Sequence, residues 1–160
     1  MAIAAAVVFQ KWTDEDVIAE YTVVCSNIEA YVPGSFYRRE LPCLLAVLGR
    51  VVEPLDIVIV DGYVSLGDKP GMGMELWEAL NRQRPIIGVA KTSFHGARAA
   101  EVLRGKAKVP LFVTAAGIDV IEAASNIGRM AGSFRVPSLL KRVDRVAREE
   151  LKRSSQLSPK

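Results

Sequence analysis

A mixed α/β fold is predicted by three observations: an antiparallel meander, then parallel strand–helix units, with helices flanking the sheet. Two apolar runs open the sequence, at residues 2–9 and 21–25, and the polar, turn-prone residues 11–16 between them read as a hairpin connection. Asp56-Ile-Val-Ile-Val-Asp61 is nearly continuous in β-branched residues, as in a strand covered on both faces of a parallel sheet. Beyond it, helix-like and strand-like stretches alternate, the pattern of strand–helix–strand units.

The elements follow in order. After the loop Tyr31-Val-Pro-Gly34, residues 38–52 place Leu41, Leu44, Leu45 and Leu48 on one helical face, and Pro42 falls in the first turn, where its missing N–H costs little. The strand ending at Asp61 is followed by a helix over 72–82 and a strand over 85–90. A helix over 97–103, a short strand over 111–114 and a helix over 119–130 come next. Pro137 opens a last helix in which Leu139, Leu140, Val143, Val146 and Ala147 line one side while Lys141, Arg142, Arg145 and Arg148 occupy others. This is the element order of a ribonuclease H-like mixed sheet, predicted as a single domain over residues 1–152 with a polar tail over 153–160.

Composition bounds the function. The chain of 160 residues is half hydrophobic and 24% charged, so it can bury a core and is too apolar for a disordered protein. Its longest uninterrupted apolar stretch, residues 1–9, is far short of the ~20 needed to cross a bilayer, and no charged segment precedes it as in a signal peptide. A cytoplasmic protein with no membrane partner is expected. Cys25 lies in a strand-like run and Cys43 in a helix-like one, so each reads as a small buried hydrophobe rather than half of a disulfide or metal pair. Residues 135–160 hold eight Lys and Arg against three Asp and Glu; with a net charge of +3 overall, that end carries +5 and the remainder −2. A local basic face suits a polyanion partner, and equally a solvated terminal helix.

Asp61 carries the strongest local signal. A carboxylate ending an apolar strand, followed at once by Gly62, lies at the edge of the sheet where open α/β folds place ligands. Glu40 sits in a first helical turn, which the helix dipole alone would favour; paired in space with Asp61, it could hold Mg²⁺, a hard cation that takes oxygen ligands and keeps several waters. Lys91 ends the strand at 85–90, a cation at the same edge, where a substrate phosphate could lie. His95, the sole histidine, lies in the following loop, where it could contact phosphate or act in proton transfer, or be an exposed histidine without a role. Tyr31, before Val32-Pro33-Gly34, could present a ring for stacking on or wedging between bases, or could pack the loop on the core. Asp119 is a candidate ligand and also an ordinary helix N-cap.

Taken together, these segments resemble the endonuclease V family, which cleaves DNA or RNA beside inosine. Tyr31-Val-Pro-Gly34 resembles its wedge loop, and Phe36-Tyr-Arg-Arg-Glu40-Leu-Pro42 its Phe-Arg-Glu-Gly-Pro motif. Val60-Asp61-Gly62, Ile87-Gly-Val-Ala-Lys91, and Phe134-Arg135-Val-Pro137 through Asp144-Arg145 resemble further motifs in the same order. The resemblance implies Glu40 and Asp61 as ligands of Mg²⁺ (or Mn²⁺), Lys91 as a phosphate contact, Tyr31 and Pro33 in the wedge, and Gly62 with Tyr63 near the inosine pocket. Two departures stand out. The family's first strand, which carries a catalytic aspartate, has no counterpart here, and the family's histidines fall near Gly67, beside Asp68, and near Gly117, two residues before Asp119. Such a sheet would have a gap with unpaired N–H and C=O groups on both sides, an invitation to pair with another segment or in a homodimer.

Three readings follow. The first is a Mg²⁺-dependent endonuclease of nucleic-acid repair type acting near inosine, with Glu40, Asp61 and Lys91 catalytic and Asp119 completing the metal site. The second is a relative that binds nucleic acid without cutting. The third is a small-metabolite domain, for which Gly71-Met-Gly73 lacks the third glycine and the preceding strand of a dinucleotide fingerprint.

Overall fold

In the structure, a computed structural model, residues 2–25 and 37–157 are described, without the side chains of residues 37–39. Strands β1 (Ala2–Val8) and β2 (Ala19–Cys25) pair antiparallel along their whole length, from Ala2 opposite Cys25 to Val8 opposite Ala19. The connection is held by Asp14, whose carboxylate accepts from the Lys11 N–H at 2.9 Å and whose own N–H donates to the Lys11 carbonyl at 3.0 Å. Helix α1 (Tyr37–Arg50) covers this hairpin, packing Cys43 and Val47 on Ala4 and Val23.

The rest of the chain builds a second sheet. After α1 come β3 (Val58–Asp61), the short hairpin β4 (Ser65–Leu66) and β5 (Lys69–Pro70), α2 (Met72–Ala79) and β6 (Ile86–Ala90). Strands β7 (Ala100–Val102) and β8 (Leu111–Ala116) then precede α3 (Val120–Arg129) and α4 (Ser138–Leu157). The four-stranded order is β3-β6-β8-β7, with β3 parallel to β6 and the other pairs antiparallel. Every residue of β6 is buried because both faces are covered. Ile86 and Ala116 meet Leu76 of α2 and Val64 on one face, while Ile87, Val89 and Val113 meet Ala123 and Ile127 of α3 and Leu139 of α4 on the other. Each such buried aliphatic contributes about 1.5–3 kcal/mol. The mixed sheet flanked by helices is the architecture expected.

Among the described residues the two sheets share no hydrogen-bonded strand pair. Between β1 and β3 lies a cavity of about 1090 Å³, walled by α1 and α4. This is the gap expected in the sheet.

Four expectations are corrected. Cys25 and Cys43 form a disulfide, with Cα atoms 6.0 Å apart, because α1 packs its second turn on the end of β2. The helix expected over 97–103 is instead β7, whose residues pair with Leu111–Val113 side by side in β8. With no crossover helix there, β8 returns antiparallel to β6 rather than extending the parallel run. Residues 153–157 of the expected tail continue α4, whose i,i+4 and i,i+3 charge pairs, such as Glu150 with Arg153 at 3.2 Å, suit a helix. No described helix is long and apolar enough to cross a membrane.

Candidate functional site at the edge of the sheet

Strand register assembles the site. Asp61 ends β3 opposite Val89, and β6 ends at Ala90, so Lys91 follows at the same edge of the sheet. Glu40 occupies the first turn of α1. Glu40, Asp61 and Lys91 are all exposed and line the same cavity. Among the described residues, neither carboxylate has a hydrogen-bond or ion-pair partner. Two carboxylates lining one cavity suit a hard cation that keeps most of its waters, rather than an all-protein cage. No group of three or more His, Cys, Asp and Glu among the described residues is placed to hold a metal.

The loop after Asp61 is fixed by backbone and one buried hydroxyl. Gly62 adopts φ +113°, open to glycine, and its N–H donates to the Val89 carbonyl at 2.9 Å. The chain then crosses the face of β6 at Gly88, where a Cβ would lie 2.6 Å from the Gly62 carbonyl oxygen and 2.8 Å from Thr114 Oγ1. Thr114, buried on β8, accepts from the Val64 N–H at 2.8 Å. The Val64 carbonyl in turn accepts from Gly71 at 2.8 Å and Met74 at 3.2 Å, tying the loop to the start of α2.

Beside the carboxylates is an aromatic recess. Tyr63 Oη donates to the Thr92 carbonyl at 2.7 Å, and its ring lies 6.2 Å from that of Phe94. Burial pushes the Tyr63 phenol above its ordinary value, against a smaller opposing effect of the Phe94 backbone. Tyr63, Phe94, His95 and Phe112 line a pocket of about 400 Å³. The loop carrying Lys91 is braced from behind, because the Arg135 guanidinium donates to the Lys91 carbonyl and, at 2.8 Å, to that of Pro110. Arg104, buried and held below its ordinary pKa by desolvation, donates to the carbonyls of Phe134 at 2.6 Å and Gly132 at 3.0 Å, fixing the segment that carries Arg135.

The structure thus sets Glu40, Asp61 and Lys91 along one cavity, Gly62 directly after Asp61, and Tyr63 and His95 in a separate pocket. Tyr31 and Pro33 lie outside the described residues. The expected ligand role of Asp119 is corrected by strand direction: β8 runs antiparallel to β6, Ala116 pairs with Ile86 at the start of β6, and Asp119 therefore sits at the opposite edge from Asp61. There its carboxylate caps α3 by accepting from the Glu122 N–H at 3.1 Å. Asp68 is exposed in the β4–β5 turn. Two residues escaped the sequence reading as site residues. Asp144 of α4 lines the cavity with Glu40 and Asp61, one turn after the inward Leu140, a spacing that could have found it. Phe94 had no periodic signal in its loop.

A mixed sheet of this topology, covered by helices, with acidic residues gathered at its edge, defines a ribonuclease H-like domain. The family model for endonuclease V matches residues 1–130. Endonuclease V of Streptomyces avermitilis is 30% identical over 97% of this chain and 76% of its own length. That of Rhodospirillum centenum is 31% identical over 91% of this chain and 69% of its own. In structure, S. avermitilis endonuclease V aligns with TM-score 0.76 at 23% identity, over 96% of this chain and 82% of that one. Ciona intestinalis endonuclease V, in complex with a 24mer DNA containing an inosine followed by a ribo-adenosine, aligns with TM-score 0.72 at 18% identity, over 95% and 85%. The chain belongs to the endonuclease V family.

Proposed function

We propose that this protein is a Mg²⁺-dependent endonuclease that hydrolyses a phosphodiester bond near inosine in nucleic acid. The observation that supports the reading best is that Asp61 and Lys91 share one edge of the sheet and line the same cavity as Glu40, with both carboxylates free of partners among the described residues. Glu40 and Asp61 would hold Mg²⁺, with Mn²⁺ as the alternative ion. Bound there, the ion supplies charge to activate water and to stabilise the leaving oxygen. Lys91 Nζ neutralises a non-bridging phosphate oxygen, and the Arg135 contact to its main chain keeps it at that place. The pocket of Tyr63, Phe94, His95 and Phe112 receives the base through ring contact, which is sequence-tolerant until a polar edge is read. The Ciona relative's DNA complex supports inosine as the base in question.

A second reading, a binder that does not cut, is favoured by one observation: no described cluster offers three metal-ligating side chains. Incubation with Mg²⁺ and inosine-containing single- and double-stranded oligonucleotides separates the two. The endonuclease reading expects metal-dependent nicking beside inosine and a loss of at least 100-fold in rate for Asp61→Asn with an unchanged melting temperature. Binding without any nick would leave the second reading, and equal cleavage by Asp61→Asn would remove the first.

A further inference from the structure

Unused by this chemistry is a patch of exposed side chains beside the Lys91 edge of the sheet. The connection from β7 to β8, residues 103–110, lies at that edge, because Val102 pairs with Leu111, and Phe112 with Ala90, the residue before Lys91. The segment that leads into α4 packs directly on this connection. A Cβ at Gly105 would strike the Ser133 carbonyl oxygen and come within 3.6 Å of Phe134 Cα. Arg104 donates to the Phe134 carbonyl at 2.6 Å, and Arg135 donates to the carbonyl of Pro110, at 2.8 Å, and to that of Lys91. Both segments are therefore held by main-chain contacts on either side of Phe134.

What these contacts present to solvent is apolar and basic. Leu103 is 66% exposed, Val109 55% and Phe134 65%. A single exposed apolar residue is ordinary. Here three are gathered, since Leu103 precedes Arg104 and Val109 precedes Pro110, the two residues bonded to the Phe134–Arg135 segment. Lys141 Nζ lies over the Phe134 ring, 4.2 Å from its centre. Lys106 and Lys108 are exposed on the connection, and among the described residues none of these three lysines has a carboxylate partner. Neither residues 103–110 nor residues 130–143 contain an Asp or Glu.

An exposed ring among unpaired cations suits an unpaired stretch of nucleic acid, because every base has a face to stack and every linkage carries a charge. A base inside a duplex already stacks on its neighbours and has no face to offer. An acidic apolar peptide shares part of this chemistry. Contiguity with the edge that holds Lys91 favours the nucleotide chain, and the main-chain contacts leave little ordering to offset the binding.

We propose that Phe134, Lys106, Lys108 and Lys141 form a platform for single-stranded nucleic acid flanking the site. One base stacks on the Phe134 ring, and the lysines meet the phosphates beside it. The proposal rests on nucleic acid as the substrate and not on cleavage.

The test uses the full 160-residue protein, in EDTA and again with Ca²⁺ in place of Mg²⁺. Fluorescence anisotropy compares an inosine-containing duplex that is blunt with the same duplex carrying a single-stranded extension of about ten nucleotides at one end or the other. One of the two extensions should tighten binding at least fivefold. Phe134→Leu keeps an apolar side chain without a ring face; it should abolish that gain while leaving the blunt duplex affinity and the melting temperature unchanged, and Phe134→Trp should retain the gain. Lys106→Gln with Lys108→Gln should flatten the slope of log affinity against log salt by about 1.4 units on the extended substrate. Equal affinity for blunt and extended duplexes, or a gain that survives Phe134→Leu, overturns the platform while leaving nucleic acid as the substrate. Absence of binding to every oligonucleotide removes both. Binding of the peptide Glu-Glu-Leu-Leu-Glu-Glu that depends on Phe134, with no gain from either extension, would assign the patch to a protein partner and overturn the proposal.

Discussion

The hydroxyl of Thr114 shows how much of this site depends on one atom. It alone accepts from Val64, in a face of the sheet where water does not reach, and Val64 closes the loop that begins at Asp61. Thr114→Val keeps the shape and deletes the acceptor, stranding a buried N–H. A loss of about 1–3 kcal/mol is expected, measurable by urea denaturation, and on the proposed endonuclease reading nicking should also slow because the loop is no longer fixed. Two tyrosines give a pH signature. The hydrogen bond to Glu53 raises Tyr21, and burial raises Tyr63. Since the folded values exceed the unfolded one of about 10, their contribution is fully present below that pH and is lost as pH rises through the folded values. Absorbance at 295 nm should show both ionising later than free tyrosine, and melting temperature should fall on the alkaline side, less steeply in Tyr21→Phe.

Among elements, what the sequence disclosed and what it hid divide along range. The β-branched run to Asp61, the leucine face of α1 and the basic face of α4 are local patterns, and each became the element its period predicts. Ala97-Arg-Ala-Ala-Glu-Val-Leu103 is composed of good helix formers, yet pairing with β8 overrides that preference, as tertiary contacts do. The error propagated. A helix there implies a parallel β8 and an Asp119 at the Asp61 edge, whereas Asp61 and Lys91, on the parallel pair β3–β6, do lie at one edge of the sheet. The Cys25–Cys43 bond was hidden for the same reason, since nothing in either local run reveals that α1 lies across the hairpin. That bond spans 18 residues, and by the loop-entropy relation it should contribute about 3 kcal/mol. Reduction, or Cys25→Ser with Cys43→Ser, should lower the melting temperature by on the order of 10 °C in calorimetry.

For the molecule as a whole, charge is the dominant asymmetry. Arg145 and Arg148 expose most of their side chains and hold only loose partners, Glu149 at 3.9 Å and Asp144 at 3.8 Å. If this helix meets the phosphate backbone, replacing Arg145, Arg148 and Lys152 by glutamine should flatten the dependence of log affinity on log salt by about 2–3 units on duplex DNA. Fluorescence anisotropy across a salt series checks it, and an unchanged slope would place the contact elsewhere. The bond from Arg135 to the Lys91 carbonyl adds a kinetic consequence. It welds the approach to α4 to the lysine loop, 44 residues earlier in the chain. A polyanion captured first by the helix would reach a loop already immobile, so ordering that loop would subtract nothing from the encounter, and productive complexes would form at a rate set by diffusion and charge rather than by rearrangement.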